Sequence, residues 1–254
     1  MKNIKCASVF SGIGGFELGL SWSIPNLEIV WQVEIDSFCR SILAKHFPNA
    51  IQYDDIKTFD TQNDIDTNID MLIGGFPCQN ISIASIRRNG IYGNKSGLFW
   101  EMLRIIRRIR PKIVLMENVS ALLIRGGGMA TVLGQLAEIG YCVEWFCLEA
   151  KDFGLPHKRR RVFIVAYSHS LRARKEETIQ TRRIHHNVKA LKKTQRKPAP
   201  EPLLYRMDDG FFSRIHHKRL RALGNAIVPQ KTEWIGKMLI QTNLIHDILG
   251  AEYQ

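Results

Sequence analysis

The sequence predicts an α/β protein in which a mostly parallel β-sheet carries helices on both faces. Short apolar runs rich in Val and Ile alternate with segments whose apolar residues recur every three or four positions. The runs have the length of buried strands, and the intervening segments have the period of crossover helices. Glycines follow two of the runs, at the positions where open α/β sheets bind ligands.

These patterns assign six strands and three crossover helices. The predicted strands are Ala7–Phe10, Ile29–Glu34, Met71–Gly74, Ile113–Glu117, Cys142–Leu148 and Val162–Tyr167. The predicted helices are Asp36–Phe47, Leu98–Ile109 and Met129–Ile139. We expect a catalytic core at 1–167, a short basic insert at 168–215 and a C-terminal segment at 216–254 that returns to the core.

Composition narrows the class of partner and the compartment. The 36 Lys and Arg residues against 24 Asp and Glu give a net charge of +12, which favours a polyanion without distinguishing DNA, RNA and acidic membrane. No stretch approaches the roughly 20 apolar residues of a membrane span, and no signal peptide is evident. The 5 cysteines lack the spacing of a zinc site. We expect a soluble, cytoplasmic protein without a metal.

The loop that follows the first predicted strand, Phe10–Gly15, is a candidate ligand site. Its glycines allow backbone N–H groups to approach a nucleotide-like ligand, although the spacing is not that of a dinucleotide fingerprint. A tight turn without a ligand is the alternative. Glu34, at the end of the second strand, is suited to a ribose diol, whereas Asp36 suits the N-cap of the next helix. Asp54 and Asp55 fit either the adenine side of the same crevice or a solvated loop.

A second candidate site follows the third predicted strand, in the string from Gly74 to Ser82. Pro77 fixes the approach of the chain and two glycines permit a sharp turn, which suits a presented Cys78 thiolate. A buried, inert cysteine is the alternative. Glu117 ends another strand, so we expect it on the same rim of the sheet as Cys78.

Together these motifs resemble the cytosine-5 DNA methyltransferase family, especially its small phage and bacterial members. The matching elements are Phe10–Gly15, Glu34, Asp55, Pro77–Gln79, Glu117–Val119, Arg159–Val165 and Gly224–Pro229. The resemblance implies a Rossmann-like, S-adenosylmethionine-dependent methyltransferase fold. It also implies S-adenosyl-L-methionine as cofactor, double-stranded DNA as substrate and 5-methylcytosine as product.

The resemblance implies four catalytic residues. Cys78 would attack carbon 6 of a cytosine flipped out of the duplex, which activates carbon 5. Glu117 would hold a proton at ring nitrogen 3, and this role requires a raised pKa or a shared proton. Arg161 would bind the cytosine carbonyl oxygen, with Arg159 near the phosphate and thiol. His157 departs from the family, in which glutamine is usual.

The resemblance also implies binding residues from both ends of the chain. The implied cofactor-binding residues are Phe10, Ser11, Gly12, Ile13, Gly14, Gly15, Glu34, Ile35, Asp55, Ile56, Pro77, Asn225 and Ala226. The implied DNA contacts are Gln79, Ser82, Arg87, Arg88 and Lys95. Most of these contacts belong to a glycine-hinged loop expected to close over DNA, with an ordinary solvated loop as the alternative. For Asn225 the alternative is a helix-start cap.

The alternatives within the same chemistry are an RNA (tRNA) cytosine-5 methyltransferase and an inactive nucleic-acid-binding relative. The basic insert occupies the place of the family's target-recognition region, and it is short for that role. We expect a monomer, with a separately acting restriction endonuclease as a candidate partner.

Overall fold

The computed structural model of the chain describes residues 2–59, 65–77, 97–124, 126–169, 171 and 221–249. Within these ranges the strands are β1 (Ile4–Val9), β2 (Leu27–Val33), β3 (Ile51–Tyr53), β4 (Met71–Gly74), β5 (Ile113–Val119), β6 (Tyr141–Leu148) and β7 (Arg161–Ser168). They form one sheet in the order β3-β2-β1-β4-β5-β7-β6. All pairs are parallel except that β7 is antiparallel to β5 and β6. The predicted, mostly parallel sheet is confirmed.

Helices cover both faces of this sheet, as predicted. They are α1 (Gly15–Ser21), α2 (Ser37–His46), α3 (Leu98–Ile109), α4 (Met129–Glu138), α5 (Pro229–Gln241) and α6 (Leu244–Leu249). Alternate residues of each strand enter two cores, because successive side chains of a strand point to opposite faces. Val114 and Met116 pack with α3 and α4, while Ile113 and Leu115 pack with α1, α5 and α6.

The end of the described chain packs against its beginning. A β-carbon at Gly15 would collide with the carbonyl oxygen of Ile227, and one at Gly19 would collide with the carbonyl oxygen of Pro229. The Thr232 hydroxyl donates to the carbonyl oxygen of Gly15 at 3.3 Å. Small residues on α1 therefore let the start of α5 approach closely, which joins residues more than two hundred positions apart.

The structure corrects several element boundaries. β1 ends at Val9 because Phe10 turns into a left-handed conformation, with φ of 57°. β3 was not predicted, because it has only 3 residues and none of them is buried. The helix predicted at Asp36–Phe47 is α2, which Asp36 and Phe47 flank as caps. No helix in the described ranges is long and apolar enough to cross a membrane.

Candidate active site

The strand order places a topological switch between β1 and β4. The chain leaves β1 towards β2 and β3 and then returns to β4 on the other side of β1. The carboxyl ends of β1 and β4 therefore diverge into a crevice, where open α/β sheets bind their ligands. The two candidate sites of the sequence follow these two strands.

The loop after β1 is held against the end of β2 by backbone hydrogen bonds. The Gly12 amide donates to Glu34 Oε2 at 2.8 Å, and the Ser11 amide donates to the Val33 carbonyl oxygen at 3.3 Å. Gly12 and Gly14 have φ of 56° and 82°, in the left-handed region that favours glycine. The loop is thus fixed before any ligand binds.

Glu34 is anchored by backbone groups on both sides. Its Oε1 accepts from the Asp36 amide at 2.9 Å, and its Oε2 accepts from Gly12. A carboxylate has about four acceptor positions, so further hydrogen bonds remain available to Glu34. Asp36 caps α2, since its Oδ1 accepts from the Phe38 and Cys39 amides at 2.8 and 3.3 Å. The N-cap interpretation of Asp36 agrees with this geometry.

A cavity of about 630 Å³ opens between the two candidate sites. It is lined by Phe10, Gly12, Val33, Glu34, Ile35, Asp36, Cys39, Asp54, Asp55, Ile56, Gly75, Phe76, Pro77, Leu98, Glu117, Asn118, Val119, Arg159, Arg161, Arg221, Ala222 and Asn225. This volume lies within the roughly 300–1,000 Å³ of small-molecule and cofactor sites. Eight of the implied cofactor residues and three of the implied catalytic residues therefore share one cavity.

The other five implied cofactor residues do not line the cavity. They are Ser11, Ile13, Gly14, Gly15 and Ala226. Ser11 is buried, and its hydroxyl donates to the Ser8 hydroxyl at 2.8 Å. Gly14 precedes α1, and a β-carbon there would lie 2.6 Å from the Phe47 ring. Ser11 and Gly14 therefore shape the wall behind the cavity.

The strand that leads towards Cys78 is held next to Glu117. β4 and β5 pair in parallel with Gly74 opposite Met116, which places Gly75 beside Glu117. A β-carbon at Gly75 would lie 3.3 Å from Glu117 Oε2. The Asn118 side-chain amide donates to the Phe76 carbonyl oxygen at 3.1 Å. Cys78 itself lies outside the described residues, as do Gln79, Ser82, Arg87, Arg88 and Lys95.

Glu117 forms an ion pair at the end of β5. Arg161 Nε lies 3.0 Å from Glu117 Oε1, and both side chains are mostly buried. Burial raises the pKa of Glu117, although the positive charges of Arg161, Arg159 and Lys231 oppose this change. The carboxyl can therefore keep its proton at a higher pH than an exposed glutamate. This direction agrees with the sequence prediction for a proton-holding acid.

Arg159 connects the start of β7 to the closing segment of the chain. Its guanidinium donates to the carbonyl oxygens of Gly224 and Ala226, the latter at 2.7 Å. Burial lowers the pKa of Arg159, and its backbone is left-handed with φ of 23°. Asn225 lies between the two bound carbonyls and lines the cavity. The alternative interpretation of Asn225 as a helix cap is wrong, because Val228 is the N-cap of α5.

A family model described as C-5 cytosine-specific DNA methylase matches residues 4–228. The chain belongs to this family. Type II methyltransferase M.Sau3AI of Staphylococcus aureus is 37% identical over 203 residues, which cover 74% of this chain and 49% of that protein. Type II methyltransferase M2.BsuMI of Bacillus subtilis is 37% identical over 171 residues, which cover 64% and 42%. The chain thus spans about half the length of these relatives.

Solved structures share the fold of this methylase. The Entamoeba histolytica methyltransferase EhMeth superposes with a TM-score of 0.58 at 20% identity, over 66% of this chain and 53% of that one. A DNMT2 variant from Spodoptera frugiperda superposes with a TM-score of 0.54 at 25% identity, over 65% of this chain and 50% of that one. The predicted Rossmann-like methyltransferase fold is confirmed.

Sequence reasoning missed one charged residue that acts electrostatically on Glu117, Lys231. It is fully buried on α5, and its Nζ donates to the carbonyl oxygens of Arg159 and Leu148 at 2.7 and 3.2 Å. A lysine in an amphipathic helix normally indicates the solvent face, so the pattern carried no signal of this role. Sequence reasoning also missed buried Glu17, whose Oε1 accepts a hydrogen bond from the side-chain amide of Gln32 at 2.9 Å.

Proposed function

We propose that this methylase transfers a methyl group from S-adenosyl-L-methionine to carbon 5 of cytosine in double-stranded DNA, with Cys78 as the nucleophile. The observation that carries the proposal is that Glu117, whose pKa burial raises, lies beside the Gly75–Pro77 backbone in the same cavity as Glu34. One cavity therefore holds a buried acid and a carboxylate suited to a ribose. This arrangement fits a reaction in which a flipped base lies next to a nucleoside cofactor.

The polar groups of the cavity fit S-adenosyl-L-methionine. The remaining acceptor positions of Glu34 suit the ribose diol, and Asp54 and Asp55 line the same wall. When bound, this cofactor supplies a methyl group on an electrophilic sulfonium centre, whose positive charge the acidic lining favours. We propose that Phe10, Gly12, Glu34 and Asn225 orient the cofactor.

Cys78 would activate the cytosine. Carbon 5 of the ring is not nucleophilic enough to take a methyl group, so the thiolate first adds to carbon 6. The new bond moves electron density to carbon 5, which then takes the methyl group. Loss of the proton from carbon 5 and departure of the thiolate restore the aromatic ring. The hydrogen bond from Asn118 to Phe76 supports this role by fixing the backbone that leads to Cys78.

Glu117 would supply the proton that the addition requires. Negative charge develops at ring nitrogen 3 as the thiolate adds, and a neutral carboxyl there can donate a hydrogen bond. The raised pKa of Glu117 keeps that proton available. Arg161 lies 3.0 Å from the carboxyl and fixes its orientation, and we propose that the same guanidinium binds the cytosine carbonyl oxygen.

DNA binding would depend on residues outside the described ranges. The target base must leave the duplex at a cost of a few kcal/mol, and Ser82, Arg87, Arg88 and Lys95 are proposed to hold the backbone during this step. The net charge of +12 supplies affinity that decreases as salt increases. We propose that the basic insert at 168–215 selects the target sequence through contacts to the edges of the bases.

The decisive experiment expresses the chain in a host that lacks cytosine methylation and maps 5-methylcytosine by bisulfite conversion. We expect marks at one short recurring sequence, and none with the Cys78→Ala variant. In parallel, transfer from labelled S-adenosyl-L-methionine is compared between duplex DNA and tRNA. Activity confined to tRNA would replace DNA with RNA as the substrate, and no transfer to either would refute the proposal.

A further inference from the structure

Lys231 is unusual because a lysine seldom lies at the centre of a protein. It belongs to α5, between Pro229 and Thr232, which both contact α1, and none of its surface reaches solvent. Burying an ammonium group is unfavourable unless hydrogen bonds and opposite charges compensate. The residues that compensate Lys231 therefore indicate what it does.

Lys231 and Arg159 each donate hydrogen bonds to the backbone of the segment that carries the other residue. Its Nζ donates to the carbonyl oxygens of Arg159 and Leu148, at 2.7 and 3.2 Å. In return, the Arg159 guanidinium donates to the carbonyl oxygens of Gly224 and Ala226. Each segment thus holds the backbone of the other with a long cationic side chain. This connection fixes Arg159 in its left-handed conformation, two residues before Arg161.

The charges around Lys231 belong to the Glu117 site. Four charged groups in the described part of the chain act electrostatically on Lys231. They are Glu117 on β5, Arg159 and Arg161 at the start of β7, and Asp152 in the 3-10 helix Ala150–Phe153, which precedes β7. Burial lowers the pKa of Lys231 to about 8, while Glu117 opposes this change. For Glu117, burial raises the pKa while Lys231 opposes it. Each group therefore changes the protonation of the other.

We propose that Lys231 is a positioning residue for methyl transfer, which holds the backbone of the arginine turn and sets the charge that Glu117 experiences. This inference rests on the proposed function, because it assumes that Glu117 acts as a proton-holding acid. It assigns a second role to α5, in addition to its packing against α1. The helix packs against α1, and through Lys231 it also adjusts the charge that acts on Glu117.

The first test is the pH profile of single-turnover methyl transfer by the Lys231→Met variant. Removing the positive charge should raise the pKa of Glu117, so the pH at which the rate declines should move upward by about one pH unit. Lys231→Gln lacks the charge but keeps a donor for the Arg159 and Leu148 carbonyls. It should show the same displacement with a smaller loss of rate. A merely structural role would lower the rate without moving the profile.

The matched control is Lys237→Met on the same helix. Lys237 is exposed, pairs with Glu233 and does not line the cavity, so its replacement should leave the profile unchanged. Thermal melting of each variant verifies that it is folded. If Lys231→Met and Lys231→Gln both show the wild-type profile, the inference is wrong.

The second test needs no folded Lys231 variant. Lysine labelled with ¹³C at the ε-carbon reports the titration of Lys231 in the wild-type chain and in Glu117→Gln. We expect titration near pH 8 in the wild type and at lower pH in Glu117→Gln, since the carboxylate no longer favours the ammonium. Titration near the ordinary lysine value of about 10.4, or no response to Glu117→Gln, would overturn the inference. This test does not depend on methyl transfer, so its failure is distinguishable from failure of the proposed function.

Discussion

The two ends of the cavity are held in place by different kinds of contact. At the Glu34 end, defined by Phe10, Gly12 and Glu34, backbone amides fix the carboxylate. At the Glu117 end, defined by Glu117, Arg159 and Arg161, charged side chains bind one another and distant carbonyl oxygens. The first end is therefore a carboxylate held by backbone groups, whereas the second end is a buried carboxyl whose pKa depends on the charges around it. We therefore expect substitutions at the first end to change cofactor binding and substitutions at the second end to change the pH dependence of the chemistry.

The largest effect should come from Glu117→Gln. The amide cannot give up a proton, so we expect kcat for methyl transfer to fall by roughly 10²–10⁴-fold. Binding of S-adenosylhomocysteine should hardly change, because the Glu34 end is intact. Single-turnover kinetics and calorimetry measure the two quantities. Glu138→Gln, at an exposed position of α4, is the control. A wild-type kcat in Glu117→Gln would show that the Glu117 carboxyl takes no part in the chemistry.

Glu34→Gln should produce the opposite pattern. Its carboxylate would lose charge-assisted hydrogen bonds, each worth about 1.5–3 kcal/mol, so the Kd for S-adenosylhomocysteine should rise by roughly 10–100-fold. The chemical step at saturating cofactor should change far less. Isothermal titration measures the Kd, with Glu28→Gln as the control on the same strand, β2. An unchanged Kd would show that the Glu34 end does not hold the cofactor.

The pH dependence of stability should distinguish the two ends as well. Burial raises the pKa of folded Glu117 above its ordinary value of 4.5, so the folded state binds more protons than the unfolded state between these two values. The free energy of unfolding should therefore decrease as pH rises through the folded pKa.

Urea titrations from pH 4 upward measure this decrease, and Glu117→Gln should reduce it. Glu34→Gln should retain it, because the decrease belongs to the Glu117 end. The interpretation fails if the wild type and Glu117→Gln lose stability equally with pH.

The smallest effect should follow Asp36→Ala, which removes the cap of α2. Two backbone amides lose their acceptor, so the free energy of unfolding should decrease by about 1 kcal/mol. Glu34 should keep its hydrogen bond from the amide of residue 36, since that group is unchanged. Urea titration measures the change, and exposed Ser41→Ala on α2 is the reference. A loss no greater than that of the reference would show that the cap contributes little.

Local patterns predicted most of the fold. The apolar runs located six of the seven strands of the described sheet, and α3 has the bounds that its period predicted. β3 gave no signal because a short, partly exposed edge strand has neither length nor apolar character. The antiparallel direction of β7 could not be predicted either, because an apolar run shows that a strand is buried but not which way it runs.

The sequence by itself determined which residues are candidates for the chemistry. Glu34 directly follows β2, Glu117 lies near the end of β5, and the first loop contains glycines that permit its left-handed backbone, so these positions could be identified from nearby residues. The tertiary structure alone determined that Lys231 is buried against Arg159 and that Arg159 binds the closing segment. These contacts join residues about seventy positions apart, because β7 and α5 meet only after the sheet has formed. Sequence patterns report local period and composition, whereas the protonation of Glu117 depends on charges that only folding brings together.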